Sequence, residues 1–359
     1  MKKKQFIIGL IVVLLIGILI TWGRGKIHFD FAMFRTQVAQ VDWRLIAIGI
    51  GCIYVAYFFR AVRWARLIRP TLHVSSISLL GTQVMGFTAV ALIGRVADPV
   101  RPYLVSKKTG LPVSSQIAVY IVERLFDAGS MALIFSFLIL IAPAGSLPHP
   151  EIVKRTGEWG MLLTIGGALF LVVVRISGKV VAGFVEHSIG LISKNIGQAL
   201  GHKIRAFHAG LDTMRTFGDF AWAAGLSISM WLLITGAYLA TARAFTASEP
   251  LAHMTLAKSI LLLAFSGTAS TLQLPIIGWF TQIGFVAAAL VSFFGATPEA
   301  STACATMLLL VTFLSVVPAG LIWAQLEHVS LRKVAQESEH VDEASEENLD
   351  SNRAVDANQ

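Results

Sequence analysis

Long apolar runs separated by short polar segments dominate the chain. Six of them are long enough to cross a lipid bilayer as single helices, because about twenty apolar residues span its hydrocarbon core. They are residues 6–22, 43–62, 115–142, 159–175, 218–243 and 299–323. The first follows a basic head like that of a signal peptide, but its length favours an uncleaved helix. The pattern predicts an all-α, polytopic transmembrane helix bundle with about six full spans.

Two further apolar regions, residues 76–105 and 257–296, are interrupted near their middle. The first contains "ALIGRVADPVRPYL" and the second "LQLPIIGWFTQIG". Glycine and proline break helices, and a broken backbone in lipid needs protein or water around its free amide groups. We therefore expect each region to form a broken re-entrant pair of short helices.

The order of these segments suggests an internal repeat. Span 43–62, region 76–105 and span 115–142 form one triplet, and span 218–243, region 257–296 and span 299–323 form a second. Gly94 precedes Asp98 by four residues as Gly278 precedes Gln282, both at an offset of 184. Inverted repeats with discontinuous helices are typical of secondary transporters. Chance is the alternative, because glycine followed by a polar residue at this spacing is common.

Composition and charge place the chain in a membrane. Of its 359 residues, 55% are hydrophobic and only 14% are charged, and the net charge is +8. In such a protein an excess of Lys and Arg orients the spans, so we expect lipids and not nucleic acid as partners. With an N-in, C-in topology, 20 of the 29 Lys and Arg residues lie on the cytoplasmic side.

Two segments differ from the spans. Residues 176–217 have an apolar residue every three to five positions, which predicts an interfacial amphipathic helix on the cytoplasmic surface; docking of a partner protein is the alternative. From Glu327 the chain holds nine of its 21 acidic residues and few large apolar ones. We therefore divide the chain into a transmembrane domain, 1–326, and a disordered cytoplasmic tail, 327–359.

Charged side chains inside the apolar runs are the candidate chemistry. Glu123, Arg124 and Asp127 lie within span 115–142, where each unpaired charge costs roughly 2.5–3.5 kcal/mol at the bilayer centre. Glu123 and Asp127 share a helix face, and Arg124 can neutralise only one of them. The first broken region offers further charges, namely Arg95, Asp98 and Arg101. A substrate site is one interpretation, and a structural ion-pair network or partial exposure at the interface is the other.

A basic cluster follows the second span in "YFFRAVRWARLIRP". Arg60, Arg63 and Trp64 are typical of an anchor at the headgroup level of the membrane. Contact of the arginines with a lipid phosphate is the alternative, because guanidinium forks match phosphate oxygens.

Three motifs together resemble a known family. "R-x-x-R-W", the break "G-R-x-x-D-x-x-R-P-Y-L" and "E-R-x-x-D" resemble the transmembrane, flippase-like region of lysylphosphatidylglycerol synthases, over roughly residues 5–325. The resemblance implies a multi-pass protein of the bacterial inner membrane that moves, or helps to move, a polar lipid between leaflets. Three positions depart from the family pattern. Asp98 and Gln282 stand where glutamate is usual, and Trp279 stands where glycine is usual.

We hypothesise a lipid translocator with a headgroup site between the two triplets. Its substrate-binding residues would be Arg95, Asp98, Arg101, Glu123, Arg124, Asp127 and Gln282. The sequence has no phosphate-binding P-loop and no zinc-protease motif, so we expect no enzyme activity, cofactor or metal. The alternatives are an intramembrane transferase, a permease for a small anion and an accessory scaffold for lipid-synthesis enzymes, for example those of hopanoid or glycolipid synthesis.

Overall fold

The computed structural model describes residues 29–94, 97–143, 145–190, 217–271 and 277–330, together with Gly197, Gly201 and Val334. Every regular element in this part is helical, apart from one antiparallel bridge between Val41 and Phe245. The helices are α1 (Phe31–Ala39), α2 (Trp43–Ile68), α3 (Ser76–Ile93), α4 (Val100–Thr109), α5 (Val113–Leu140), α6 (Pro150–Gly190), α7 (Phe217–Arg243), α8 (Glu249–Ala252), α9 (Leu256–Thr271), α10 (Ile277–Phe294), α11 (Pro298–Leu309), a π-helical turn (Leu310–Leu314) and α12 (Val316–Leu326). The predicted all-α bundle is confirmed.

Within the described residues, four helical stretches are long and apolar enough to cross a membrane: α2, α3, α7 and the run from α11 through α12. Three of them match the predicted spans 43–62, 218–243 and 299–323. Helices α5 and α6 cover the predicted spans 115–142 and 159–175, while the run 6–22 lies outside the described residues. The structure differs from the expectation at α3. This single helix of 18 residues is long enough to cross a membrane, although we expected a short re-entrant helix.

The first broken region forms two helices that pack against each other. Helix α3 ends at Gly94, whose φ of 94° is accessible to glycine and strained for other residues. The chain resumes as α4 after Pro99, which suits a helix start because it has no N–H to donate. The break in the sequence therefore becomes a break between two helices.

The second broken region gives a similar pair, α9 packed against α10. Both triplets thus have the same order of elements, a long helix, a helix pair and a second long helical stretch. The two glycines that the repeat would align have different positions in their helices. Gly94 ends α3, whereas Gly278 lies in the first turn of α10. The inverted repeat stays a prediction.

The first helices of the two triplets, α2 and α7, pack along each other at the centre of the bundle. Gly49 of α2 permits this approach, because a Cβ there would lie 3.1 Å from Thr241 Oγ1 and 3.3 Å from Val311 Cγ1. Small residues are the usual means of bringing membrane helices together. Large apolar side chains point outward elsewhere, as at Ile48, Leu163 and Phe280, and give the bundle a surface suited to lipid.

A π-helical turn interrupts the last long helical stretch at Leu310–Leu314. The hydroxyl of Tyr54 in α2 donates to the Ser315 carbonyl at 2.9 Å, so the irregular backbone is tied to the central helix. Beyond the turn, α12 packs closely against α3: Gly320 lies beside Thr88, and the Trp323 indole lies beside Gly81.

Helix α6 contains a kink at Ser177, where φ is −132° and ψ is 32°. The kink lies at the boundary that the sequence predicts between the span 159–175 and the interfacial segment 176–217. Most of residues 191–216 and of the acidic tail fall outside the described part of the chain. The interfacial helix and the disordered tail therefore stay predictions.

Candidate functional site

Two facing helices supply a buried network of charged side chains. Arg60 and Arg63 are three residues apart on α2, and Glu123 and Asp127 are four apart on α5, so each pair lies on one helix face. All four side chains are at most 9% exposed. The charges that appeared isolated in the third span are therefore paired across a helix interface.

The two arginines of α2 bridge both carboxylates. Arg63 donates from Nη2 to Glu123 Oε1 at 2.6 Å and from Nη1 to Asp127 Oδ1 at 2.7 Å. Arg60 Nη1 donates to Glu123 Oε1 at 3.3 Å and to Asp127 Oδ2 at 3.2 Å. Arg63 Nη1 also donates to Ser227 Oγ of α7, which connects the network to the second triplet.

Arg101, from α4, completes the network and is fully buried. Its Nη1 donates to Glu123 Oε2 at 3.4 Å and to Gln83 Oε1 at 3.3 Å. Its guanidinium lies over three aromatic rings, with centroids 4.5 Å away at Phe87, 4.9 Å at Tyr120 and 5.7 Å at Trp64. Aromatic faces attract a guanidinium, so this cage stabilises a cation where water is excluded.

Gly86 of α3 provides the space for Arg101. A Cβ on Gly86 would collide with Cγ of the arginine side chain. The tight packing of α3 against α4 thus determines where the guanidinium lies.

Arg124 and Asp98 lie at the edge of the network. The Arg124 side chain is 39% exposed, approaches Asp127 Oδ2 to 3.2 Å and lies over the Tyr120 ring. Asp98 is partly buried and close enough to Arg124 to attract its charge. Arg95, a predicted member of the site, lies outside the described residues.

Positive charge exceeds negative charge in this network. Four arginines (Arg60, Arg63, Arg101 and Arg124) face two acids, Glu123 and Asp127, which leaves two positive charges, or one if Asp98 is counted. Several buried nitrogen donors also have no hydrogen-bond acceptor within the described protein: Arg63 Nε, Arg101 Nε and Nη2, Gln83 Nε2 and Gln116 Nε2. A site with excess cations and free donors is suited to an anion that carries oxygen atoms.

The burial of Arg60, Arg63 and Trp64 corrects the predicted headgroup anchor. Arg60 is 7% exposed, and Arg63 and Trp64 are each 1% exposed. The Trp64 indole donates to Gln116 Oε1 at 3.0 Å instead of facing the lipid surface. The reason is that α2 continues to Ile68 with α5 packed against it, so these residues lie inside the bundle.

A cavity of ≈ 180 Å³ lies between the two triplets, next to the network. From the first triplet it is lined by Ile53, Ala56, Tyr57, Arg60, Phe87 and Met131, and from the second by Trp231, Ile234, Tyr238, Leu263, Ser266, Gly267, Gln282, Thr312 and Phe313. Among these lining residues Arg60 carries the one formal charge. The Phe87 ring also lines the cavity and lies under the guanidiniums of both Arg60 and Arg101.

Neutral polar groups occupy the wall of the cavity that belongs to the second triplet. Tyr238 donates its hydroxyl proton to Ser266 Oγ at 2.7 Å, and Gln282 Nε2 donates to the same oxygen at 3.1 Å. The structure therefore brings Gln282 and Arg60 to one cavity, although they come from different triplets.

A comparison with protein families adds to this geometry. The model of the lysylphosphatidylglycerol synthase TM region matches residues 6–320. The chain belongs to this family. No curated protein and no solved structure matches the chain. The family and the apolar helices together make it a multi-pass membrane protein of lipid-related processes.

The two broken regions of this lysylphosphatidylglycerol synthase family protein are joined by a hydrogen bond. Trp279 of α10 donates its indole N–H to the Ala91 carbonyl of α3 at 3.1 Å. Ala91 lies in the last turn of α3, where carbonyls lack partners within the helix. Trp279 thus links the start of α10 to the end of α3.

Sequence reasoning missed several polar residues of this family member's site. Ser227 and Gln83 accept hydrogen bonds from Arg63 and Arg101, Gln116 accepts one from Trp64, and Tyr238 and Ser266 line the cavity. Each is a single polar residue within an apolar helix. A single polar residue produces no periodic pattern in the sequence. Its position inside a predicted membrane span was the one indication that it belongs to a functional site.

Proposed function

We propose that the protein binds the headgroup of an anionic lipid in the cavity between its triplets and moves it between the leaflets of the bacterial inner membrane. One observation carries the proposal. A buried network with excess positive charge reaches, through Arg60, a cavity that is otherwise lined by apolar and neutral polar groups.

The charge of the network supports an anionic ligand. Moving charged groups out of water costs free energy. This cost is offset only when opposite charges and hydrogen bonds surround the groups. Here two acids face four arginines, so a phosphate near Arg60 would complete the balance. Guanidinium groups suit this role because they bind phosphate oxygens through paired, charge-assisted hydrogen bonds.

Glu123 and Asp127 have a positioning role in this proposal. Each carboxylate accepts hydrogen bonds from both Arg60 and Arg63, so together they hold the guanidiniums between α2 and α5. The same geometry favours binding over intramembrane transferase chemistry, because a carboxylate held by several cations is a poor general base.

The position of the cavity supports movement of the headgroup. It lies between the triplets and is lined by residues of α3, α9 and α10, helices that end or begin at the two breaks, and by the π-helical turn. Irregular helices at a central site are common where transporters change conformation. The acyl chains would remain in the bilayer while the headgroup crosses the protein.

Reconstitution of the purified protein into liposomes tests the proposal. Leaflet exchange of fluorescent phosphatidylglycerol is followed by quenching from the outside. We expect wild-type protein to accelerate exchange and Arg60→Gln to reduce it by at least tenfold. Arg66→Gln is the matched control, because Arg66 lies on the same helix, pairs with Asp219 at 3.6 Å and does not line the cavity.

A second variant leaves the charges untouched. Among the described residues a Cβ on Gly267 would meet Met131 Cε, at 3.9 Å, and Gly267 lines the cavity, so Gly267→Leu would extend into it. We expect this variant to keep its fold, measured by its melting temperature, and to lose exchange. Exchange at the wild-type rate in both Arg60→Gln and Gly267→Leu would exclude this cavity as the lipid site.

A further inference from the structure

We infer that Gln282 makes the cavity selective for headgroups that end in hydroxyl groups and against headgroups that end in an ammonium group. The inference rests on the proposed function and specifies the part of the headgroup that faces away from Arg60. It follows from which polar groups on the second-triplet wall of the cavity have hydrogen-bond partners and which do not.

Gln282 is buried, with 4% of its surface exposed, and it is one of the residues that line the cavity. Its Nε2 group is used in the bond to Ser266, whose oxygen also accepts from Tyr238. Its Oε1 atom has no hydrogen-bond partner among the described residues. A buried acceptor without a partner is costly, so a ligand that donates to it would be bound more tightly.

Trp231 supplies the complementary group. Its indole Nε1 is buried, has no acceptor in the described part of the protein, and belongs to a side chain that lines the same cavity. The wall therefore offers one free acceptor and one free donor, both neutral. A hydroxyl group both donates and accepts, so a ligand with hydroxyl groups can satisfy both.

An ammonium group cannot do so. It donates only, which leaves the Trp231 N–H without an acceptor, and it carries a positive charge. No acidic side chain is among the cavity-lining residues, and Arg60 already places a positive charge there. Burying a second cation without a carboxylate is unfavourable in this environment.

The size of the cavity agrees with a small polyol. Its ≈ 180 Å³ is comparable with the about 150 Å³ that encloses one benzene molecule in an engineered protein cavity. A glycerol group has a similar number of non-hydrogen atoms as benzene. This volume accounts for a short chain with hydroxyl groups near Gln282 and Trp231, and the phosphate ester attached to it would lie at the Arg60 end.

The experiment compares headgroups in the same proteoliposomes. Exchange rates are measured for fluorescent phosphatidylglycerol, phosphatidylethanolamine and lysylphosphatidylglycerol. We expect wild-type protein to exchange phosphatidylglycerol at least tenfold faster than the two lipids with ammonium groups. Gln282→Glu should bring the ratio close to one, because the carboxylate attracts an ammonium group and repels an anionic headgroup.

Two further variants separate charge from general damage. Trp231→Phe removes the donor without adding charge and should slow phosphatidylglycerol about three- to tenfold, the value of one hydrogen bond. Gln325→Glu makes the same chemical change as Gln282→Glu at an exposed position of α12 outside the cavity, and should leave the ratio unchanged.

The outcomes distinguish the two claims. If wild-type protein exchanges no lipid, the proposed function fails and the selectivity fails with it. If it exchanges all three lipids at similar rates, or if Gln282→Glu keeps the wild-type ratio while it remains folded, the translocation proposal stands and the role of Gln282 is wrong.

Discussion

The two walls of the central cavity satisfy buried polar groups in different ways. On the first triplet, Arg60 belongs to a network of charges that carries more positive than negative groups. On the second triplet, Gln282, Ser266 and Tyr238 form a chain of neutral hydrogen bonds. One wall can therefore hold an ion, and the other can distinguish the neutral groups attached to it.

The difference in charge between the two walls is also visible in the sequences of the two broken regions. Region 76–105 contains three charged residues, Arg95, Asp98 and Arg101, whereas region 257–296 contains only Lys258. A charge that is left alone in a buried site costs more than a neutral group that is left alone. The two walls should consequently respond differently to substitution, and three experiments test this.

The largest effect is expected for Glu123→Gln. The substitution removes a negative charge that three buried arginines contact, so we expect a loss of about 3–5 kcal/mol in the free energy of unfolding. Unfolding in mixed micelles, followed by tryptophan fluorescence, measures this loss. The neutral counterpart, Gln282→Leu, should cost about 1–3 kcal/mol because it leaves no charge unpaired.

A double variant sharpens this test. Glu123→Gln combined with Arg63→Met removes one cation together with the anion and should recover part of the lost stability. If the double variant is less stable than Glu123→Gln alone, or if Gln282→Leu costs as much as Glu123→Gln, the contrast between the two walls is wrong.

An intermediate effect is expected for Gly86→Ala. The added methyl group would displace Arg101 from its aromatic cage, and overpacking of this kind costs about 1–3 kcal/mol. Thermal unfolding of the purified protein measures the change. Gly129→Ala on α5 is the control, because no atom of the described residues lies within 4 Å of its added Cβ. Equal melting temperatures for the two variants would contradict the close approach of α3 and Arg101.

The smallest effect is expected for Trp279→Phe. The change keeps an aromatic ring but removes the hydrogen bond to the Ala91 carbonyl, which is worth about 0.5–1.5 kcal/mol. The same thermal assay applies, with Trp43→Phe as control because Trp43 is 61% exposed. A melting temperature of Trp279→Phe that matches this control would show that the contact between the two broken regions adds no stability.

Hydropathy alone predicted most of the helix positions. The spans 43–62, 218–243 and 299–323 are helical because lipid requires each crossing segment to satisfy its own backbone hydrogen bonds. The breaks near Gly94 and between α9 and α10 also followed from glycine and proline. The full length of α3 was harder to predict, because a polar break suggests a short helix on both sides.

The sequence singled out the charged residues that the structure brings together, but it did not predict the partners of Arg60 and Arg63. Arg60 and Arg63 end an apolar run, and arginines there usually reach the headgroups, so the anchor was the natural interpretation. Their actual partners, Glu123 and Asp127, are 60 to 67 residues away along the chain. Packing of α2 against α5 decides the pairing, and no local pattern contains that information.

The π-helical turn at Leu310–Leu314 determines which face of α12 packs against α3. Each residue of an α-helix advances by about 100° around the axis. If this wide turn relaxed to α-helical geometry, all later residues would rotate by roughly that angle, and Gly320 and Trp323 would leave the surface of α3. One additional residue in this turn thus sets which side of α12 faces α3, and the contact between the two helices depends on it.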